Sequence, residues 1–231
     1  MPHREMAEGM RWQCGVTTCS QRRCDPLPRT LASLKEAGFG GLRLFVDGVS
    51  DGFDDLRCET TYRMPQVGVV SNWWLALHEL YARDRSADRY ALFQDDLVCV
   101  RNLRQYLDGV ALDDGHCWNL LTFRENEALM PTGRVGFFPS DQRGRGAVAL
   151  VFPRKVAERM LTDGELLTRK EQRNLDGAVN RAMRRSRVVE LCHNPSLVQH
   201  TGMVSVLGNA PCQVSGCFPG EGHDLCRGAT G

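Results

Sequence analysis

Short apolar runs alternate along the chain with segments in which apolar residues recur at helical spacing. The short runs are rich in β-branched and aromatic residues, and they predict strands at residues 12–19, 42–46, 90–98, 118–123, 147–152 and 187–192. The amphipathic segments predict helices at residues 29–37, 73–83, 103–107, 153–161 and 175–185. The chain opens strand, helix, strand, which is the unit from which parallel sheets are built. The pattern therefore predicts an α/β protein with a mixed, mainly parallel sheet flanked by helices.

The second predicted helix and the predicted connections carry further expectations. Ser71 or Asn72 is expected to cap the start of the second helix. His78 keeps the helical spacing and is expected in the core. Residues 49–66 and 124–145 are predicted as loops. The second of these is long for a connection inside a compact domain, which is typical of a functional or disordered loop.

Composition divides the chain into three parts. We predict a flexible N-terminus at residues 1–11, a single domain at residues 12–208, and a tail rich in Cys, Gly and Pro at residues 209–231. A group of thiol and imidazole side chains lies in the tail without a CxxC pair, namely Cys212, Cys217, His223 and Cys226. Such a group is compatible with a small zinc site, with a disulfide that staples the tail, or with reduced, partly buried thiols.

The charge balance of the 231 residues excludes some classes of partner. The 29 Lys and Arg residues against 28 Asp and Glu residues give a net charge of +1. A net charge this close to zero provides no overall electrostatic attraction to nucleic acid or to an anionic membrane. The first 25 residues lack the apolar core of a secretory signal, and no apolar run is long enough to span a bilayer. We therefore expect a soluble, cytoplasmic protein.

The run from Tyr90 to Val98 carries the clearest chemical signal. Apolar residues lead into Gln94, Asp95 and Asp96, and apolar residues resume directly afterwards. Two carboxylates at the end of a buried strand are costly unless a cation shares them. Mg²⁺ and Mn²⁺ suit such ligands and usually work beside a substrate phosphate. The run predicts a metal-assisted enzyme that acts on a phosphorylated donor, and the alternative is that the two acids begin a turn or cap a helix.

An ordered series of segments resembles the nucleotide-sugar glycosyltransferases of the GT-A fold. The segments are residues 15–19, 31–39, 44–48, 68–72, 94–96, 146–154 and 195–202. The similarity spans roughly residues 12–207, and the last segment is similar to the ending of branching N-acetylglucosaminyltransferases and their bacterial relatives. The resemblance implies a Rossmann-like nucleotide-binding half, a central strand that ends in a DxD-like metal motif, and an acceptor-binding half.

The resemblance also implies a donor site. Arg22 or Arg23 would meet the donor diphosphate, because charge-assisted bonds suit phosphate. Asp47 would accept a hydrogen bond from the uracil or ribose, and Asn72 would lie near the nucleotide or sugar. The residues that the resemblance assigns to binding of the nucleotide-sugar are Val16, Thr17, Thr18, Arg22, Asp47, Asn72, Gln94 and Asp95.

The same resemblance implies a metal site for Mn²⁺ or Mg²⁺. Asp96 would be the direct metal ligand, and His200 resembles the late histidine that closes on the metal or the diphosphate. The chain departs from the family at Gln94, where an Asp or Glu is usual. A neutral amide can still bond the nucleoside, but it lowers the negative charge that would hold the cation.

Transfer with inversion requires a carboxylate that takes the proton of the acceptor hydroxyl. Asp176 is our candidate for this base, because it begins the helix at residues 175–185 and the family's base commonly occupies such a helix start. The alternative role for Asp176 is that of a first-turn acid that complements the helix dipole. Glu125, Glu127 and Asp141 are the reserve candidates, and without a base a retaining mechanism would apply.

We therefore predict a glycosyltransferase that moves a hexosyl or N-acetylhexosaminyl group from a UDP-sugar to an acceptor hydroxyl, with inversion. A saccharide, a peptide, a small molecule or a modified nucleobase would each fit as acceptor, and the donor sugar and the oligomeric state stay open. A nucleotidyltransferase is the first alternative, but it would need a Gly-rich phosphate loop that is missing after residues 15–18. The second alternative is a non-catalytic nucleotide- or glycan-binding protein of the same fold.

Overall fold

The computed structural model describes residues 9–168, 174–201 and 214–227. The strands in these segments are β1 (Trp12–Cys19), β2 (Arg43–Asp47), β3 (Glu59–Arg63), β4 (Arg89–Gln94), β5 (Leu97–Cys99), β6 (His116–Asn119), β7 (Gly136–Pro139), β8 (Ala149–Pro153), β9 (Val189–Asn194) and β10 (Val198–His200). The helices are α1 (Leu27–Glu36), α2 (Val69–Arg83), α3 (Leu103–Asp108), α4 (Arg124–Glu127), α5 (Arg154–Leu161) and α6 (Leu175–Arg185). Among these helices, none combines the length and the apolar character needed to cross a bilayer.

One large sheet organises the described chain. Its strand order is β3–β2–β1–β4–β8–β6–β9–β7, while β5 pairs with β10 separately. The pairs from β3 to β4 are parallel, and β8 is antiparallel to both of its neighbours. The pair β6–β9 is parallel and the pair β7–β9 is antiparallel. The predicted α/β fold with a mixed, mainly parallel sheet is confirmed.

Strand β4 lies in the middle of the sheet and is buried on both faces. Ala91 and Phe93 point into a core cluster that includes Leu34 of α1. Leu92 points into the opposite cluster, which includes Trp73 of α2. Successive side chains of a strand point to opposite faces, so a continuous apolar run is what a strand covered by helices on both sides requires.

The predicted loop at residues 49–66 contains a strand. Asp54–Leu56 forms a 3-10 turn, and β3 pairs with β2 at the edge of the sheet. The loop prediction is wrong because edge strands carry polar and charged residues, which hide the strand pattern. The predicted loop at residues 124–145 is also wrong, since it contains α4 and the edge strand β7, which has only four residues, begins at a glycine and ends at a proline, and so shows no periodic strand pattern.

Two predictions for α2 are also wrong. The helix begins directly after Gly68, which is its N-cap, so neither Ser71 nor Asn72 caps it. His78 is exposed and stacks on the ring of Trp74, with 5.6 Å between the ring centroids. The earlier start moves the helix boundary toward the N-terminus, and His78 falls at the solvent-facing margin of the apolar stripe.

The predicted strand at residues 90–98 is two strands. β4 ends at Gln94, β5 begins at Leu97, and the two belong to different sheets. The break falls at Asp95 and Asp96, so the two carboxylates lie in a turn at the carboxyl end of the central strand. The predicted strands at residues 118–123 and 187–192 are confirmed in kind, with their bounds shifted to those of β6 and β9.

The described tail, residues 214–227, packs on the domain. Ser215 and Gln199 exchange two hydrogen bonds, at 2.8 and 2.9 Å, and Arg101 N donates to the carbonyl of His223 at 2.8 Å. The cysteines in the described segments are free thiols, and these segments hold no cluster of three or more potential metal ligands. Cys212 of the predicted zinc group lies outside the described residues, as do residues 1–8 of the predicted flexible N-terminus.

Candidate functional site

The carboxyl ends of β1, β2 and β4 meet at one edge of the sheet. Cys19 at the end of β1 lies opposite Asp47 at the end of β2. Thr17 of β1 lies opposite Gln94 at the end of β4. Ligands of open α/β sheets bind outside the carboxyl ends of the parallel strands. The structure therefore gathers most of the sequence-predicted donor residues at the edge where a ligand is expected.

A hydroxyl group from α1 holds the turn that carries the two carboxylates. The Thr30 side chain is buried, and its hydroxyl donates to the carbonyl of Asp95 at 2.8 Å. The same hydroxyl oxygen accepts a hydrogen bond from the N–H of Leu97 at 3.0 Å. Because these two backbone groups flank Asp96, Thr30 fixes the turn on both sides of that residue. Sequence reasoning missed Thr30, since a threonine inside a helix gives no signal of a partner 65 residues away.

Asp95 and Asp96 form a buried pair with incomplete charge compensation. The hydroxyl of Thr18 donates to Asp95 Oδ2, while Arg22 Nη2 lies 3.4 Å from Asp96 Oδ2 and Arg22 Nε lies 4.0 Å from Asp95 Oδ1. Burial and then the charge of Asp96 raise the pKa of Asp95 to about 7, against the opposing effects of Thr18 and Arg22. Arg23, the other basic candidate, pairs instead with exposed Asp55. The pair therefore needs more positive charge than Arg22 supplies if both carboxyl groups are to be ionised at neutral pH.

His200 reaches this pair from a separate part of the chain. β10 runs antiparallel to β5 and sets His200 opposite Leu97, while the N–H of Thr201 donates to the carbonyl of Asp96 at 2.7 Å. The imidazole Nε2 of His200 lies 3.2 Å from Asp96 Oδ1. The two residues assigned to the metal by the resemblance, 104 positions apart in the sequence numbering (200 − 96), are therefore brought into contact.

The contact between Asp96 and His200 fits a divalent cation. Asp96 Oδ1 is buried and accepts no hydrogen bond from the described residues. Two ligand atoms that bind one small divalent ion at about 2.1 Å in neighbouring positions lie roughly 3 Å apart, close to the separation seen here. The described residues offer no group of three or more metal-binding side chains. Ions of this class usually complete their coordination with substrate phosphates and water, so a diphosphate would supply what the protein does not.

Two of the predicted donor residues already have protein partners. Both carboxylate oxygens of Asp47 accept backbone hydrogen bonds, from the N–H of Val67 at 2.8 Å and of Gly68 at 2.9 Å. The buried amide of Asn72 accepts from Arg63 Nε at 2.7 Å and donates to the carbonyl of Phe45 at 2.9 Å. With these bonds, both side chains stabilise the junction between β2 and α2.

The side chains of β1 at this edge differ in their access. Val16 is fully buried in the core, so its side chain does not line a pocket, whereas Thr18 contacts Asp95 directly. Thr17 is also largely buried, and its hydroxyl lies 3.4 Å from the carbonyl of Phe93. Thr17 and Thr18 thus keep a small exposed fraction, 6% each, whereas Val16 has none.

Asp176, the candidate base, is held at the N-terminus of α6. Its Oδ1 accepts the N–H of Ala147 at 2.8 Å, and its Oδ2 accepts the N–H of Gly146 at 3.1 Å. Gln94 Nε2 donates to the carbonyl of the same Ala147 at 3.1 Å. Because Gln94 directly precedes Asp95, a chain of hydrogen bonds through Ala147 connects the carboxylate of Asp176 to the residue next to the carboxylate pair.

The three reserve carboxylates have different partners. Arg145 forms ion pairs with Glu125 and Asp141, at 2.9 and 2.8 Å. Glu127 Oε1 accepts hydrogen bonds from backbone groups of the tail, including the N–H of Cys217 at 3.1 Å. Asp141 and Glu125 thus share one guanidinium, while Glu127 anchors the tail.

Glu190 is a buried carboxylate that sequence reasoning missed. Its oxygens accept hydrogen bonds from Asn119 Nδ2 at 2.9 Å and Ser140 Oγ at 2.6 Å. Burial raises the pKa of Glu190 above its usual value, although these two hydrogen bonds oppose the shift. A signal was available, since Val188 directly before β9 and Glu190 and Cys192 within β9 share one face, and all three side chains are buried.

Comparisons with known proteins identify the fold. No protein-family model matches the chain, and no curated protein matches its sequence. A solved structure of GalNAc-T7 with UDP, GalNAc and Mn²⁺ superposes with a TM-score of 0.57 at 10% identity, over 85% of this chain and 44% of that one. A nucleotidyl transferase from Methanothermobacter thermautotroptrophicus superposes with a TM-score of 0.51 at 12% identity, over 80% of this chain and 87% of that one. The chain thus spans less than half the length of the GalNAc-T7 chain, and what it shares with both proteins is a GT-A-like fold.

Proposed function

We propose that this protein is a metal-dependent glycosyltransferase that moves a sugar from a UDP-sugar to an acceptor hydroxyl with inversion. The observation that carries the proposal is the buried pair of Asp95 and Asp96 at the carboxyl edge of β4, with Arg22 and His200 against it. Two buried carboxylates with one nearby guanidinium favour a bound cation, and a cation with few protein ligands favours a phosphorylated ligand. The similarity to a fold that holds UDP and Mn²⁺ in GalNAc-T7 supports the same ligand class here.

In this proposal the donor lies along the carboxyl edge of β1 and β4. Asp96 and His200 hold Mn²⁺ or Mg²⁺, and the bound cation supplies charge neutralisation for the departing diphosphate. Arg22 lies within reach of the same phosphates, and its guanidinium can form paired hydrogen bonds with them. Thr18 orients Asp95 beside the donor. A bound cation would thereby offset the negative charge of both the carboxylate pair and the donor diphosphate.

Asp176 acts as the base in the proposed transfer. The acceptor oxygen bonds to the anomeric carbon of the sugar, the bond from that carbon to the diphosphate oxygen breaks, and both bonding electrons leave with UDP. The proton of the acceptor hydroxyl passes to the carboxylate of Asp176. Each carboxylate oxygen of Asp176 accepts one backbone N–H, so each retains acceptor capacity for a substrate hydroxyl.

A nucleotidyltransferase is the second candidate, because one structure with the same fold has that activity in its name. Such an enzyme needs a Gly-rich loop after the first strand to cradle the phosphates of a nucleoside triphosphate. No glycine occurs between Gly15 and Gly38, and β1 runs instead into the 3-10 turn Ser20–Arg22. The composition of this connection favours the glycosyltransferase.

The two activities are separated by their products. We expect UDP to be released from one of UDP-glucose, UDP-galactose, UDP-N-acetylglucosamine and UDP-N-acetylgalactosamine, in the presence of pooled acceptors and Mn²⁺ but not with a chelator. Release of pyrophosphate from a nucleoside triphosphate and a sugar 1-phosphate would instead identify a nucleotidyltransferase. If neither product forms while UDP still binds, the protein is a binding protein of this fold.

Replacement of His200 by Ala tests its role at the metal. The variant should bind Mn²⁺ in the presence of UDP at least about tenfold more weakly, because even outer-shell partners of a metal contribute 10–100-fold to affinity. Isothermal titration with Mn²⁺ measures the change, and His116→Ala serves as control because that histidine pairs with Asp113 on the surface. Unchanged Mn²⁺ affinity in His200→Ala would make the histidine a structural residue.

Replacement of Thr30 by Val tests the support of the carboxylate turn. We expect a loss of about 1–3 kcal/mol in the free energy of unfolding, because the change leaves a buried carbonyl and a buried N–H without their partner. Thr30→Ser keeps the hydroxyl and should restore most of the stability. Ser33→Ala is the matched control, since Ser33 Oγ accepts from the N–H of Cys99 at 2.8 Å, away from the carboxylates.

Thr30→Val should also weaken Mn²⁺-dependent binding of UDP, whereas Ser33→Ala should lower stability alone. Chemical denaturation and nucleotide titration measure the two effects separately. If both variants lower stability and neither changes UDP binding, Thr30 contributes to the fold and has no particular role in placing Asp96.

A further inference from the structure

The side chain of Gln94 connects the two halves of the candidate site. Its backbone N–H continues the ladder with β8 by donating to the carbonyl of Val148 at 2.7 Å. Its amide Nε2 turns to the carbonyl of Ala147, one residue earlier, at 3.1 Å. The N–H of Ala147 in turn binds Asp176 Oδ1 at 2.8 Å. Ala147 is therefore held by Gln94 at its carbonyl group and by Asp176 at its N–H group.

The segment that contains Ala147 has little freedom to adjust. Asn119 Nδ2 lies 3.0 Å from the carbonyl of Arg145 and 3.2 Å from that of Gly146. Gly146 has a φ of +70°, and a Cβ there would lie 2.0 Å from the ring of Phe123. A glycine is required at this position both by the backbone conformation and by the close approach of the ring. Within this segment, Gln94 holds the carbonyl group of Ala147, and the carboxylate of Asp176 accepts from the N–H groups of both Gly146 and Ala147.

The chemistry of this contact explains why an amide occupies position 94. The partner of the side chain is a carbonyl oxygen, which can only accept a hydrogen bond. A carboxylate at the same place would bring two acceptors together without a hydrogen between them, and it would add a third negative charge next to Asp95 and Asp96. The acidic residue that the family resemblance leads one to expect at position 94 is therefore incompatible with the contact seen here.

We propose that Gln94 is a positioning residue that fixes the carboxylate of Asp176 relative to the donor site through Ala147. The proposal rests on the proposed function, in which Asp176 takes the proton of the acceptor. Gln94 then acts on the transfer step and not on the affinity for the nucleotide or the cation. A misplacement of about 1 Å in a reacting group can cost a hundredfold in rate.

Two variants test the proposal, Gln94→Met and Gln94→Glu, and both replace Gln94 by a side chain of similar size. Ser33→Ala is the control, because it removes a different hydrogen bond between a side chain and the backbone. Hydrogen exchange, measured by mass spectrometry on the peptide that contains residues 146 and 147, reports whether Ala147 is still held. We expect exchange there to become at least about tenfold faster in both Gln94 variants and to stay unchanged in the control, since a lost hydrogen bond of about 1.4 kcal/mol corresponds to a factor of ten.

Steady-state kinetics distinguish a role of Gln94 in positioning Asp176 from a role in donor binding. In the neutral variant Gln94→Met kcat should fall between about tenfold and a hundredfold, with KM for the donor and the Kd for UDP with Mn²⁺ unchanged within about twofold. Unchanged exchange at residues 146 and 147 would overturn the proposal. A rise in the Kd for UDP with unchanged kcat would also overturn it, because Gln94 would then contribute to nucleotide binding. Hydrogen exchange is measured without substrate and does not depend on activity. A wild type that transfers no sugar would refute the proposed function, whereas the exchange result would still show whether Gln94 holds Ala147.

Discussion

Asp96→Ala is expected to abolish Mn²⁺-dependent binding of UDP and to reduce transfer by at least about a hundredfold. The expected size follows from the loss of the proposed cation at the leaving group, since removal of one preorganised donor from an oxyanion hole already costs about 10²–10³ in kcat. Asp96 contributes the buried oxygen that lies 3.2 Å from His200 and has no hydrogen-bond partner among the described residues. Without this oxygen, the proposed cation would lose one of its two proposed protein ligands.

A second variant and a control make the result on Asp96 specific. Asp96→Asn keeps the shape of the side chain and should show the same loss, because a neutral amide no longer attracts the cation. Asp114→Ala removes an exposed acid that pairs with Lys155 just before β6, and it should leave UDP binding and transfer unchanged. Titration of UDP with and without Mn²⁺ measures the effect. Retention of metal-dependent UDP binding in both Asp96 variants would show that the cation is held elsewhere.

Asp176→Asn is expected to leave UDP binding intact and to reduce transfer by about 10²–10⁴, the usual contribution of a general base. An asparagine places an NH2 group where the second carboxylate oxygen lies, so a donor would face the N–H group of Gly146 or of Ala147 in place of an acceptor. Some loss of stability is therefore expected together with the loss of transfer. The diagnostic result is an unchanged Kd for UDP with Mn²⁺ and a strongly reduced kcat.

The loss of stability in Asp176→Asn is controlled by a neighbouring variant. Asn174 is the N-cap of α6 and accepts the N–H of Gly177 at 3.1 Å, and Asn174→Ala should cost about 1 kcal/mol without contacting residues 146 and 147. We expect this control to retain transfer. An active Asp176→Asn would direct the search for the base to Glu125 and Asp141, which share Arg145.

The general arrangement of the sheet and its carboxyl edge could be predicted from the sequence. Apolar runs of strand length and amphipathic helices are local patterns, and they place β1, β2 and β4 in a parallel group whose ends meet. Asp95 and Asp96 could be identified as candidate site residues because two charged residues interrupt a run of apolar residues that predicts a buried strand. The edge strands β3 and β7 were not recognised, because the polar residues of β3 mask the periodicity of a strand and β7 has only four residues, from Gly136 to Pro139.

The partners of individual side chains could not be predicted from the sequence. A position at the end of a strand indicates the edge that a residue occupies, but not whether a neighbouring backbone already uses its polar atoms. Asp47 and Asn72 illustrate this limit, since backbone groups and Arg63 already contact their polar atoms. The contacts of Thr30 with Asp95 and of Gln94 with Ala147 depend on tertiary packing, for which a single sequence holds no local pattern.

The central claim is that Asp96 and its neighbours bind a nucleoside diphosphate through a divalent cation. The most direct test is the thermal stability of the wild type with UDP, GDP, CDP and ADP, each with Mn²⁺ and with a chelator. A ligand that binds only the folded state adds roughly 2.7 kcal/mol of stability at a hundredfold excess over its Kd, which such a measurement detects. Our account predicts stabilisation by UDP that requires Mn²⁺. Equal stabilisation with the chelator, or none by any of the four nucleotides, would contradict it.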